Sequence, residues 1–172
     1  PECTDQSVES QFANLNSYPT IIMVLSGAQA AAIQGNWKNV EAHAQTYAND
    51  LFLTYLTANP GDQARFPKFA EVPLGDLRSN ADFNAQTIVI VKALSGIVAN
   101  LGDIQKAADL LRQRVRTHYK RNITMAQFER LLDLLPMFLQ EKAHASGDVA
   151  DAWRIAIADL MPAMRDEFSR CQ

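Results

Sequence analysis

The sequence predicts an all-α domain of six to eight helices. Three observations carry that expectation. Apolar residues recur at steps of three and four along most of the chain, which places them on one face of a helix. The stripes are interrupted at Asn59-Pro60-Gly61-Asp62, Gly102-Asp103 and Gly147-Asp148, which are turn and helix-stop signals. The β-branched run Thr87-Ile88-Val89-Ile90-Val91 lies inside an apolar stretch too long for a strand. With 172 residues and 48% apolar composition, the chain can bury a sizeable core as one domain.

The elements follow in order. Residues 1–19 are polar and lack a clear period, Tyr18-Pro19 breaks them off, and residues 1–24 read as an N-terminal extension to a domain spanning 25–172. Residues from about 20 to 35 are rich in Ala, Gln and Ile. Trp37, Val40, Ala44, Tyr47, Leu51, Tyr55 and Ala58 then form a helical stripe, with Gly35 as the point where the two stretches could part. Pro67 and Pro73 keep residues 60–80 in irregular chain or short turns, so Phe66 and Phe69 need burial against something else. Phe83, Ile90, Leu94, Ile97, Val98 and Leu101 share one face of a helix over 81–101. Ile104, Ala108, Leu111, Val115 and His118 share a face of the next. Thr124-Met125-Ala126-Gln127 fits a capping box that opens a helix running to about 143. A last helix over about 149–169 turns Trp153, Ile157, Leu160, Met161, Met164 and Phe168 inward. Pro136 and Pro162 fall inside these last two helices, each predicting a kink or a lost N–H. Met125, Met137, Met161 and Met164 read as core filling.

Composition removes several function classes. The net charge of −3 provides no general attraction to nucleic acid or to anionic membrane, and no segment reads as apolar enough to span a bilayer. No GxSxG, P-loop, CxxC or HExxH motif is present, so hydrolase, nucleotide and zinc chemistry lack their signatures. The two cysteines, Cys3 and Cys171, bracket the chain, which begins at Pro1. This reads as a trimmed, secreted form whose termini are joined by a disulfide in an oxidising compartment. Two free terminal thiols or a bond between chains are the alternatives.

His118 is the most informative residue. It continues the apolar stripe of its helix, where a histidine is either a hydrogen-bonded core group or a ligand. Gln86 interrupts the apolar face of the preceding helix in the same way, one turn after Phe83 and one turn before Ile90. Both residues stand 16 positions from Gly102, roughly 24 Å along two helices that leave one corner. A nitrogen ligand and a hydrogen-bonding group would then face each other across an apolar gap. That arrangement suits a flat apolar cofactor with a metal centre. His43 and His144 read as solvated or structural.

Residues 25–168 resemble the globin family, and among globins the extracellular ones of invertebrates. The resemblance rests on Trp37, Pro60, Phe66-Pro67-Lys68-Phe69, the run from Ala81 to Gln86, His118 with Ile123 five positions on, Phe128 and Trp153. It implies the globin fold around haem b, with helices crossing at about 50°. His118 matches the residue that ligates iron, and Gln86 the distal group that steadies a bound diatomic. Phe66 matches the aromatic that wedges the haem, and the same segment brings Phe69. Phe52 and Ile90 match two further distal positions, with Ile123 and Phe128 on the other side. Arg114 departs from the family, which has an apolar residue one turn before the ligand; Leu111 and Val115 are expected to supply that packing. Lys120 or Arg121 would pair with the haem propionates.

The function this implies is reversible binding of O₂, and of CO or NO, at a five-coordinate ferrous iron, for transport or storage, with no catalytic residue. The second ring nitrogen of His118 should donate to Thr117 or to a carbonyl near Leu111. Turnover of nitric oxide or peroxide is the alternative, weakened by a distal amide that does not titrate near neutral pH. A gas-sensing or interaction module is the other.

Overall fold

The computed structural model describes residues 24–172. Cys3 and the proposed extension therefore lie outside the described residues, apart from Val24. Six α-helices follow one another: α1 (Gly27–Ala42), α2 (Ala44–Ala58), α3 (Ala81–Ala99), α4 (Ile104–Tyr119), α5 (Met125–Lys142) and α6 (Gly147–Cys171). Two short 3₁₀ helices, Pro60–Arg65 and Leu74–Ser79, sit between α2 and α3. No strand occurs among the described residues, as the periodicity predicts.

Local chemistry accounts for most of the helix starts. Ser26 and Gln29 form a capping box on α1, and Thr124 and Gln127 form the predicted one on α5. The side chains of Asn80, Asp103 and Ser146 each accept from a first-turn amide of α3, α4 and α6. Some boundaries differ from the sequence reading. The first two helices part at His43 and not at Gly35, because a helix tolerates a single glycine at modest cost. Gly147-Asp148 forms the first turn of α6 instead of a break, since Ser146 caps it. The turn before it uses His144 at φ 54°, and the Ala145 amide donates to the Leu139 carbonyl at 3.0 Å. α5 and α6 run through Pro136 and Pro162 without ending.

α6 packs against α1, α4 and α5, while α2 packs against α3 and α5. The interior divides into two apolar clusters. The larger includes Ile33, Trp37, Leu51, Leu94, Leu135, Trp153 and Met164. Within it the Trp37 and Trp153 rings lie 5.6 Å apart, and the Trp37 indole donates to Ser95 Oγ at 2.8 Å. The smaller is mostly aromatic: Phe52, Tyr55, Leu56, Phe69, Leu77 and Phe83. Ile90, Leu131 and Leu134 are partly buried and touch both clusters. Met161 and Met164 are core residues, but Met137 is 54% exposed and fills no core. α3 is long and apolar enough by composition to cross a membrane, which corrects the sequence expectation. Phe83, Thr87, Val91, Leu94, Ile97 and Val98 are buried between neighbouring helices, and a central core helix has that composition.

Candidate functional site

Of the sequence-derived site residues, Phe52, Phe66 and Phe69 belong to the aromatic cluster, Leu111, Val115 and Phe128 to the larger one, and Ile90 touches both at the seam between them. On the aromatic side, Phe52 is buried, with its ring 5.1 Å from Phe66 in an edge contact. Phe66 stacks on Phe69 at 5.1 Å, and Phe69 meets Phe83 edge-on at 5.5 Å. Phe69 and Phe83 are buried, whereas Phe66 is only partly covered. The two aromatics of the Pro-rich loop thus find their burial against α2 and α3. Gln86 and Ile90 are half-buried on α3, beside its deepest face.

His118 stands near the end of α4, half-buried, with its ring 5.0 Å from that of Phe128 on α5. Its Nδ1 lies 2.8 Å from the Arg114 carbonyl and 3.4 Å from Thr117 Oγ1. Both predicted partner types are present, with the carbonyl four residues back closer than the hydroxyl. When Nδ1 carries the proton and donates to that carbonyl, Nε2 presents a lone pair, and no hydrogen bond to Nε2 occurs among the described residues. Burial pushes the imidazole pKa below its ordinary value, opposed by the Arg114 carbonyl and helped by the charges of Arg121 and Arg114. The ring is therefore neutral at pH 7, the state a metal ligand requires.

The chain folds back at once. Asn122 adopts φ 57°, a left-handed conformation that Asn tolerates, and the Ile123 amide returns to the His118 carbonyl at 3.1 Å. This brings half-buried Ile123 and Phe128 to the His118 end of the seam. Gln86 lies 13 residues before the end of α3 and His118 14 residues after the start of α4, so the two occupy matched heights above their shared corner. Leu111 and Val115 are buried in the larger cluster, and Arg114 is exposed. Lys120 and Arg121 are exposed beside His118, while Arg116 and Arg112 are already paired with Glu167 and Asp109. His43 and His144 are exposed.

Three residues of the seam went unnamed as site candidates: Phe83, Leu131 and Leu134. The signal for Phe83 was its place one turn before Gln86. Leu131 and Leu134 carried only an ordinary helical spacing. No cluster of three or more His, Cys, Asp or Glu side chains suited to a metal ion occurs among the described residues.

Comparison with known proteins bears on the family and the fold. The globin family model matches residues 49–164. Globin CTT-IX of the midge Chironomus thummi thummi is 32% identical over 132 residues, covering 75% of this chain and 80% of the relative. Among solved structures, haemoglobin component V of Propsilocerus akamusi superposes with a TM-score of 0.73 at 20% identity, covering 87% of this chain and 97% of that one. A Drosophila melanogaster haemoglobin described as hexa-coordinate superposes at 0.75 with 18% identity, covering 81% and 93%. The chain belongs to the globin family, and its helices adopt the globin fold.

Proposed function

We propose that the protein holds haem b in the seam and binds O₂ reversibly at a five-coordinate ferrous iron. The observation that carries this reading is His118: a half-buried, neutral imidazole whose Nδ1 is engaged 2.8 Å from a backbone carbonyl, leaving Nε2 as the donor. The surrounding set fits a flat apolar group. Phe66, Ile90, Ile123, Phe128 and Leu131 are all partly covered, so apolar surface lines the seam without closing it. Haem, when bound, would supply the reversible binding of a diatomic gas.

The chain's residues do the rest. His118 holds the iron through Nε2, and the Arg114 carbonyl fixes the ring's tautomer and plane. Leu111 and Val115 pack the helix beneath it. Phe66, Phe69 and Phe128 grip the ring faces and edge. Phe52 and Ile90 exclude water from the distal side. The Gln86 carboxamide donates to the guest, worth about 1 kcal/mol or several-fold in affinity. Lys120 or Arg121 pairs with the propionates.

The test is an absorption spectrum of the ferric, ferrous and CO-bound protein. The expected result is a Soret band that shifts reversibly with O₂ or CO, and a His118→Ala variant that loses most of its hemin. A colourless protein that refuses hemin overturns the reading. A ferrous spectrum that is already low-spin and six-coordinate, the state named for the Drosophila haemoglobin, overturns the open sixth position.

The same reading includes secretion and a Cys3–Cys171 disulfide. Its support is that Cys171 lies partly exposed in the last turn of α6.

A further inference from the structure

The contact between α2 and α3 includes a buried polar cluster. Asn49 of α2 is 8% exposed and Thr87 of α3 is 0% exposed. Thr87 Oγ1 donates to Asn49 Oδ1 at 2.6 Å, and Asn49 Nδ2 donates to Asn84 Oδ1 at 2.7 Å. Gln45, one turn earlier on α2, donates through Nε2 to Asn49 Oδ1 at 2.9 Å and reaches the Asn84 carbonyl at 3.1 Å. Asn84 in turn donates to the Arg78 carbonyl at 3.2 Å, and Arg78 pairs with Asp50 of α2. Gln86 lies between the two α3 residues of this lock, Asn84 and Thr87.

We propose that Asn49 and Thr87 are positioning residues for the distal group: they pin the second turn of α3 to α2, so that residue 86 stands off from the iron and the sixth position stays open. The proposal rests on the haem reading above. Its physical basis is the difference between apolar and polar contacts. Apolar faces such as those of Phe83 and Val91 can slide and repack, because their attraction has no direction. Hydrogen bonds cannot. A slip of α3 by one helical turn, about 5.4 Å, takes the 2.6 and 2.7 Å bonds between the two helices beyond hydrogen-bonding distance. It would leave Asn49 Nδ2 without its Asn84 partner in a buried setting, while Gln45 of the same helix stays bonded to Oδ1. The lock therefore holds α3 in one register and resists the movement that would carry a side chain at 86 into ligation.

A stronger ligand at the distal position makes the lock visible. In the full-length, haem-loaded protein, Gln86→His alone is expected to remain five-coordinate and high-spin when reduced. Adding Thr87→Val, which keeps the side-chain shape and removes the hydroxyl, together with Asn49→Ala, is expected to produce the paired visible bands of low-spin six-coordinate iron. CO association should slow in proportion to the open fraction, about tenfold if a tenth of the iron stays open. Thr87→Ser with Asn49 retained should restore the five-coordinate spectrum. If the core-weakened variant does not fold, Gln86→His with Thr87→Val alone provides the same readout. The lock is overturned if Gln86→His is six-coordinate with the lock intact, or if removing the lock leaves the spin state unchanged. A wild-type protein that binds no hemin overturns the haem reading and this proposal together, whereas a coloured protein indifferent to Asn49 and Thr87 overturns the lock alone.

Discussion

Asp62 draws together more of the chain than any other carboxylate at the site. It sits in the 3₁₀ helix before Phe66 and accepts from the Tyr55 hydroxyl, from Arg130 Nη2 at 2.7 Å and from Gln127 Nε2 at 2.8 Å. Gln127 also closes the capping box with Thr124, so one side chain ties the start of α5 to the corner that presents Phe66. Burial would raise the Asp62 pKa, but the three hydrogen bonds and the Arg130 charge outweigh it and hold the carboxyl below its ordinary 3.8. The folded value is the lower one, so the stabilisation is complete above the unfolded value and is lost as pH falls through the folded value. Tyr55 behaves oppositely: burial, then the bond and the charge of Asp62, push its phenol up to about 12. Unfolded tyrosine ionises first as pH rises past 10, so stability declines between 10 and about 12. Equilibrium urea melts of Asp62→Asn should show a flatter acid limb than wild type, with lower stability at neutral pH. An unchanged acid limb would remove Asp62 from the network.

The helices are held in register by pairs such as Arg116–Glu167, which ties α4 to α6 at the residue after the buried Val115. Arg116 Nη1 donates to Glu167 Oε1 at 2.9 Å, and the Tyr119 ring meets Phe168 edge-on at 5.3 Å. The Glu167 side chain is 8% exposed, while Arg116 is 51% exposed. Losing the arginine leaves a buried carboxylate without its cation, whereas Glu167→Gln keeps an oxygen that accepts from it. Arg116→Ala should therefore cost about 1–2 kcal/mol, discounted for the solvent around the arginine, and Glu167→Gln less than about 1. Urea midpoints would rank the two, and the opposite order would mean that Glu167 is accommodated without Arg116. Such pairs mark the limit of what the sequence makes legible. The six helices could be read because each carries a long stripe at helical spacing with a cap or stop signal. The break at His43 could not, because neither Pro nor Gly marks it. His118 and Gln86 stood out because each interrupts an apolar face. Asn49, Asp62 and Glu167 look like ordinary surface residues in the sequence. Their long-range partners are 35 to 68 positions away, and only the packed fold brings them together.

At the scale of the whole molecule, the question is what restrains the two ends. α6 contacts α1, α4 and α5 along its length and ends at Cys171, while the described chain begins at Val24, with the Leu25 amide donating to Asp159 of α6 at 2.7 Å. Both ends of the domain are therefore fastened to the same helix. A bridge from Cys3 to Cys171 would close a loop of nearly the entire chain, for which the chain-entropy relation gives about 5 kcal/mol of stabilisation, less whatever strain the closure imposes. At this chain length that corresponds to a rise in Tm of roughly 10–20 °C. Oxidised wild type should melt higher than Cys171→Ser by that order, and adding reductant should bring wild type down to the variant while leaving the variant unmoved. The intact mass under non-reducing conditions should be that of a single chain lighter than the reduced form by the two hydrogen atoms lost on oxidation. A dimeric mass would place the bond between chains. Equal melting of wild type and Cys171→Ser, with both thiols open to alkylation, would leave the helical packing alone to hold the domain and remove the argument for an oxidising compartment.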